Sequence, residues 1–159
     1  MIYKSADISD ADILIDIYNS AFYDDYIRYG HCPAYGHSRE SMEQSIRDYP
    51  KTIAYDNERA VGVISVKTEG AGKYYIGCLA VKKEEQGRGI GTLLMKHFLS
   101  EHPDWKEITL VTPKDKEQNI MNCTSWEQFW LVLYNGTYRS AIKQTKNLRT
   151  RYGKTNYNI

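Results

Sequence analysis

Gln86, Gly87, Arg88, Gly89, Ile90, Gly91 and Thr92 form the stretch of this sequence best suited to chemistry. Glycine lets the main chain take dihedrals that other residues avoid and come close to a ligand. An apolar-periodic run from Ile90 to Leu99 follows at once, so the glycines stand where a helix begins. N–H groups in a helix's first turn lack acceptors, and the helix dipole is positive there. A glycine turn leading into such a helix start makes a cradle for phosphate oxygens. Neither common nucleotide fingerprint fits. A dinucleotide loop needs G-x-G-x-x-G, and a P-loop ends in Gly-Lys-Ser/Thr; here Thr92 follows Gly91 with no lysine before it. What remains is Gln-x-x-Gly-x-Gly, carried by Gln86, Gly89 and Gly91.

The elements that must position this loop follow from the flanking pattern. Lys73 to Val81 reads as a strand running straight into the cradle, and the helix beginning at Gly91 must end before Pro103. Upstream, Ile2 to Lys4 predicts a short edge strand. Ser9 or Asp10 is placed to cap a helix through Ile13, Leu14, Ile17 and Phe22. Tyr29 to Gly36 holds Gly30, Pro33 and Gly36 and predicts a loop. Ser38 starts a second helix that Pro50 closes. Thr52 to Tyr55 and Ala60 to Lys67 read as strands, joined by Asp56 to Arg59. Glu107 to Val111 reads as a buried strand, parallel to the one before the cradle by the crossover rule. The order β-α-α-β-β-β-α-β predicts an α/β fold, a mixed central sheet with helices on both faces.

The chain has 159 residues, which suits one domain over 1–159. A net charge of +1 gives no field drawing it to nucleic acid or a membrane. No apolar run reaches the roughly 20 residues of a membrane span. Cys32, Cys78 and Cys123 are odd in number and widely spaced, so they read as reduced thiols of a cytoplasmic protein with no leader segment. His31, Cys32 and His37 lack a fourth ligand at suitable spacing, so no metal is expected.

The Gln-x-x-Gly-x-Gly loop, with Leu79-Ala80-Val81 before it and Leu93-Leu94 after it, resembles the pyrophosphate-binding signature of the GNAT superfamily of N-acetyltransferases. The resemblance covers residues 1 to about 120. It implies acetyl-CoA (coenzyme A) as cofactor. Amides from Gln86 to Thr92 (Gln86, Gly87, Arg88, Gly89, Ile90, Gly91, Thr92) would hold the pyrophosphate, and Arg88 could add a charged contact. Backbone groups of Leu79, Ala80 and Val81 would line the pantetheine arm, and the Leu79 amide would receive the oxyanion. Gly77 and Cys78 stand where a bulge could part that strand from the next. Asn119 resembles a cofactor-contacting asparagine of the family.

The implied reaction is direct attack of a primary amine on the thioester. The acceptor would be a small molecule or a peptide. Tyr26, Tyr29, Tyr35 and His37 are substrate-pocket candidates, and Asp24 and Asp25 could attract a cationic amine. The strand Tyr74 to Val81 contains no glutamate, so no general base is assigned.

After Ile120 the chain departs from the family pattern. Leu131 to Tyr134, Asn135-Gly136 and Thr137 to Ile142 predict a hairpin, and the basic run from Lys143 to Ile159 predicts a loosely held tail. The divergent segment is thus 121–159. Tyr134 is the candidate general acid in place of the family's usual tyrosine. The alternative reading is a protein that binds acyl-CoA with weak or lost catalysis. The hairpin could also pair across a homodimer. Read from the third base of the Met121 codon, codons for Met121 to Gln128 permit Glu-Leu-Tyr-Lys-Leu-Gly, the expected helix and tyrosine, which suggests a shifted frame.

Overall fold

A computed structural model describes residues 1–113, 129–134 and 137–143. Its elements run β1 (Ile2–Ser5), α1 (Ala11–Tyr29), α2 (Arg39–Asp48), β2 (Lys51–Asp56), β3 (Arg59–Gly70), β4 (Lys73–Val81), α3 (Ile90–Glu101), β5 (Glu107–Pro113), β6 (Phe129–Tyr134) and β7 (Thr137–Lys143). The strands form one sheet in the order β1-β2-β3-β4-β5-β7-β6. Every neighbouring pair is antiparallel except β4 and β5, which run parallel with α3 as the crossover.

Two apolar clusters show that both faces of the sheet are covered. On one face, Ile90, Leu94, Met95 and Phe98 of α3 pack on Ala54, Val61, Ile64, Ile76 and Ile108. On the other, Leu14 and Ile17 of α1 and Met42 and Ile46 of α2 pack on Ile53, Val63 and Ala80. Alternation along β2 and β3 sends Ile53 and Val63 one way and Ala54 and Ile64 the other, as strand geometry requires.

Element ends have local causes. Ser38 Oγ accepts from the Ser41 amide and opens α2. Gly30, at φ 68°, closes α1 in the left-handed conformation that glycine takes without strain. Of the two capping candidates, Asp10 takes the position before α1 but makes no side-chain bond to that helix. The capping bonds belong to the turn ahead of it, where the Asp7 carboxylate accepts from the Ser9 amide at 2.7 Å and Asp10 reaches back to the Asp7 amide at 3.0 Å. A single 3₁₀ turn, Ile8–Asp10, intervenes before α1, and the cap sits ahead of it. β3 is longer than its sequence pattern predicts, and β2 begins one residue earlier, at Lys51.

The hairpin expected at 131–142 is present as β6 and β7. β7 pairs with β5 along its whole length, from Glu107↔Lys143 to Pro113↔Thr137, and β6 forms the outer edge. Asn119, Cys123, the Asn135-Gly136 turn and the tail lie outside the described residues. So do Met121 to Gln128, on which the shifted-frame reading rests.

Candidate active site

The site begins with a fault in β4. Ser65 of β3 faces Cys78, but the next β3 residue, Val66, faces Ile76, so Gly77 is an extra residue in β4. This is a bulge at the position expected from Gly77 and Cys78, and it bends the strand. Pairing of β4 with β5 covers Lys73↔Glu107 to Ile76↔Leu110 and stops there. Beyond it β5 stays with β7, while β4 runs on with β3 alone. The two parallel strands therefore part at the bulge, leaving a free β4 edge over 77–81, about 16 Å long at 3.3 Å per residue.

Which groups face that opening follows from the ladder. The Lys82 amide donates to the Val61 carbonyl at 3.0 Å. Main-chain groups alternate sides along a strand, so Ala80 and Cys78 also turn toward β3, and Leu79 and Val81 turn toward the opening. The Val81 carbonyl accepts from Gln86 Nε2 at 3.0 Å. Gln86 thus ties the loop to the end of the open edge, a reason for glutamine at that position that its side-chain chemistry supplies.

The cradle follows. Gly87 and Gly89 have φ of 79° and 75°, and a Cβ at either would meet nothing within 4 Å. Glycine is needed there for the left-handed backbone, and the space above the loop is open. The first α3 hydrogen bond is from the Leu93 amide to the Gly89 carbonyl, at 3.0 Å. The amides of Ile90, Gly91 and Thr92 therefore have no acceptor within the helix. Gly91 lies 3.8 Å (its ideal Cβ) from the Leu79 side chain, so the helix start and the open edge adjoin.

Arg88 does not point at the cradle. Its guanidinium bonds Asp56 at 2.9 Å and also pairs with Glu85. Glu85, 5% exposed, takes Arg59 on its other oxygen at 3.0 Å. This knot fixes the loop to the β2–β3 turn. Asp24 is likewise occupied, by Lys83, and Asp16 by Lys82. With Ser20 Oγ accepting from the Lys83 amide at 2.9 Å, one stripe of α1 clasps the turn before the cradle.

Of the substrate candidates, Tyr26 and Tyr35 stack with ring centroids 4.6 Å apart. Tyr29 carries the Arg28 guanidinium over its ring at 5.4 Å. His37 has contacts of its own. Its ring meets Tyr18 edge-on at 5.8 Å, and Nδ1 lies 3.0 Å from Ser41 Oγ. Burial, and then the nearby Lys51 charge, lower its pKa. Tyr134 is the last residue of β6, and β7 and β5 lie between that strand and β4.

Beside the bulge is a polar cluster that sequence reasoning missed. Lys51 is 3% exposed, and its ammonium donates to Ser65 Oγ at 3.0 Å. The Tyr18 hydroxyl lies close to Ser65 and Cys78. Tyr18 and Tyr49 offer their ring faces to the Lys51 cation at 6.0 and 5.9 Å. Desolvation pulls Lys51 down to about 8 and pushes Cys78 up to about 11; Tyr18 is raised well above the usual phenol range for the same reason. Tyr49 lies over the bulge, 3.1 Å from the ideal Cβ of Gly77. On β5, opposite Tyr75 where the two parallel strands are still paired, the buried Thr109 hydroxyl has no hydrogen-bond partner among the described residues. The available signal was periodicity: Lys51, Ser65 and Cys78 are each two residues, on alternating strands, from the inward-facing Ile53, Val63 and Ala80.

Among the described residues, no group of three or more His, Cys, Asp or Glu side chains is placed to hold a metal, and no helix is long and apolar enough to cross a membrane.

Residues 12–123 match the family model described as the acetyltransferase (GNAT) family. No curated protein gives a significant match. Among solved structures, one similar chain is the PaiA N-acetyltransferase of Thermoplasma acidophilum in complex with coenzyme A. It is 16% identical, with a TM-score of 0.72 over 91% of this chain and 100% of that one. Another is the ribosomal-protein-alanine N-acetyltransferase of Brucella melitensis, 15% identical, with a TM-score of 0.70 over 91% of this chain and 100% of that one. A GNAT family acetyltransferase of Elizabethkingia anophelis with acetyl-CoA bound is 15% identical, at 0.54 over 67% of this chain and 84% of that one.

Proposed function

The chain belongs to the acetyltransferase (GNAT) family, and from that premise we propose that it moves the acetyl group of acetyl-CoA to a primary amine by direct attack. One observation carries the reading. The β4 edge opens beyond Ile76, and that edge adjoins a glycine-lined helix start whose first amides lack helical acceptors.

The amides of Gly87 to Thr92 hold the pyrophosphate, and the Leu79 and Val81 main chain aligns the arm that leads to the sulfur. Acetyl-CoA supplies an acyl group activated as a thioester. The Leu79 amide, turned into the opening, meets the negative charge that develops on the carbonyl oxygen. Arg88 acts through its main chain, since its guanidinium is committed to Asp56 and Glu85.

The amine enters from the face of α1 and α2, past Tyr26, Tyr35 and His37. Its chemical class is a small molecule or a peptide terminus, and it reaches the site uncharged only after losing a proton. The place of work is the cytoplasm, a reading supported by Cys32 and Cys78, both free thiols.

Calorimetry with coenzyme A, followed by thiol release from acetyl-CoA in the presence of spermidine, L-lysine and an alanine-initiated peptide, tests the reading. Micromolar or tighter binding with thiol release on at least one amine is expected. Binding without release favours the alternative of a cofactor-binding protein with lost catalysis, and no binding at all ends the proposal.

A further inference from the structure

An amine acceptor arrives protonated at neutral pH, and β4 offers no carboxylate at the opening. The cluster beside the bulge is arranged to meet that need. Lys51 of β2 faces Ser65 of β3, and Ser65 faces Cys78 of β4. The three form one row across the sheet, on the side covered by α1 and α2. At the next step across the sheet β5 has already left β4. The row therefore starts in the protein interior and ends at the mouth of the opening, one residue from Leu79. Tyr18 of α1 lies beside it, its ring 6.0 Å from the Lys51 ammonium and its hydroxyl close to Ser65 and Cys78.

We infer that Tyr18, Ser65 and Lys51 form a buried proton relay, and that the Lys51 amine receives the proton the acceptor ammonium must lose. This rests on the acetyltransferase reading given above. The Tyr18 oxygen takes the ammonium proton while its own passes to Ser65 Oγ, and the Ser65 proton passes to Lys51 Nζ. The shift is concerted, so neither hydroxyl is left charged. The freed amine lone pair then forms the C–N bond, the C–S bond breaks, and the amine's second proton goes to the departing sulfur. Lys51 returns its proton to solvent by the same path before the next cycle.

The surroundings suit a lysine that titrates near the working pH. Burial is the largest influence on it and lowers its pKa to about 8. Groups facing it are Tyr18 from α1, His37 from the α1–α2 loop, Asp48 at the end of α2, Tyr49, Ser65 from β3 and Cys78 from β4. Asp48 is the one carboxylate among them, and it acts at a distance with no ion pair to Lys51 among the described residues. Lys67 of β3 also approaches the Tyr49 ring, 5.5 Å from its centroid. General bases work best with a pKa close to the operating pH.

Lys51→Arg, Lys51→Met and Ser65→Ala in the full chain test the relay. Arginine keeps the charge but does not release a proton. The first readout needs no turnover. In protein with ¹³C-labelled lysine, one Cε signal should titrate with a midpoint near pH 8, be missing in both Lys51 variants and move in Ser65→Ala. The second is acetyl transfer to spermidine, L-lysine and an alanine-initiated peptide. Lys51→Arg and Ser65→Ala should lower kcat at least 30-fold, with coenzyme A affinity by calorimetry within twofold of the parent. The acidic limb of the parent's pH–rate profile should disappear in Lys51→Arg. The relay is overturned if no lysine titrates below pH 9, or if Lys51→Arg keeps its rate within threefold and its acidic limb. It is also overturned if the parent binds coenzyme A but transfers to none of the three amines, a result that leaves the cofactor site standing. Failure of the parent to bind coenzyme A removes the underlying acetyltransferase reading instead.

Discussion

Replacing Lys51 by methionine reads the energetic cost of the buried amine, apart from any catalysis. Burial lowers Lys51 from 10.5 to about 8. A drop of about 2.5, at about 1.36 kcal/mol per unit, means that the charged form opposes folding by up to about 3 kcal/mol. Between pH 8 and 10.5 the folded protein holds fewer protons than the unfolded chain. Unfolding then takes up a proton, so stability rises with pH across that window and the full cost is present below it. Methionine matches the length of the lysine stem and removes the charge, at the loss of the hydrogen bond to Ser65, worth about 1 kcal/mol. Lys51→Met should therefore be more stable than the parent by about 2 kcal/mol at pH 6, from the difference of those two terms. The advantage should fall to about 1 kcal/mol at pH 9 and vanish near pH 10.

Urea unfolding of both proteins from pH 6 to 10 measures the gap. Tyr18, whose pKa is raised by burial, makes both proteins lose stability above pH 10, and the parent-minus-variant difference cancels that effect to first order. A gap that is the same at pH 6 and pH 9, or a variant less stable at pH 6, refutes the picture of a desolvated, titrating lysine. The expected gain also means that lost transfer in Lys51→Met cannot be assigned to unfolding.

Three other perturbations bear on the site. Gly89→Ala keeps the space it needs, but must hold φ near 75°, which costs about 1–2 kcal/mol. Its methyl group also enters the cradle, so thermal melts and calorimetry should show that loss together with at least tenfold weaker coenzyme A binding. Glu85→Gln weakens charge-assisted bonds to Arg59 and Arg88 and should lower stability in urea by about 2 kcal/mol. Gly77→Ala places a methyl group 3.1 Å from Tyr49 and should destabilise by about 1–3 kcal/mol, with a changed near-ultraviolet circular dichroism spectrum as the ring turns away.

The parts of the site legible in the sequence were those made by the main chain. Gly87 and Gly89 mark left-handed backbone, Gly77 marks the bulge, and Ser38 marks a helix start, because each residue type answers a local backbone need. Side-chain partnerships between distant segments were not legible. Asp24 reads as a lure for a cationic amine, yet Lys83, 59 positions away, holds it. Arg88 reads as a phosphate ligand, yet Asp56 and Glu85 claim it. Lys51 stands just before the strand expected from Thr52 to Tyr55, with no local signal of a role. Only when β2, β3 and α1 are brought together does it lie between Ser65 and two tyrosine rings.

The bulge connects these two kinds of information. One extra residue in β4 reverses the phase of the strand, so Ile76 packs toward α3 while Cys78 and Ala80 pack toward α1. Without Gly77, Cys78 would follow Ile76 directly, still opposite Ser65 and still on the α1 face, but the strand would lose its bend. The same extra residue stands where β5 leaves β4. The glycine thus sets the bend at which the opening begins, while the polar row is fixed by the pairing of Lys51 with Ser65 and of Ser65 with Cys78. The two features are therefore separable: deleting Gly77 should weaken coenzyme A binding while the Lys51 titration stays in place, and loss of both in the same protein would refute that division.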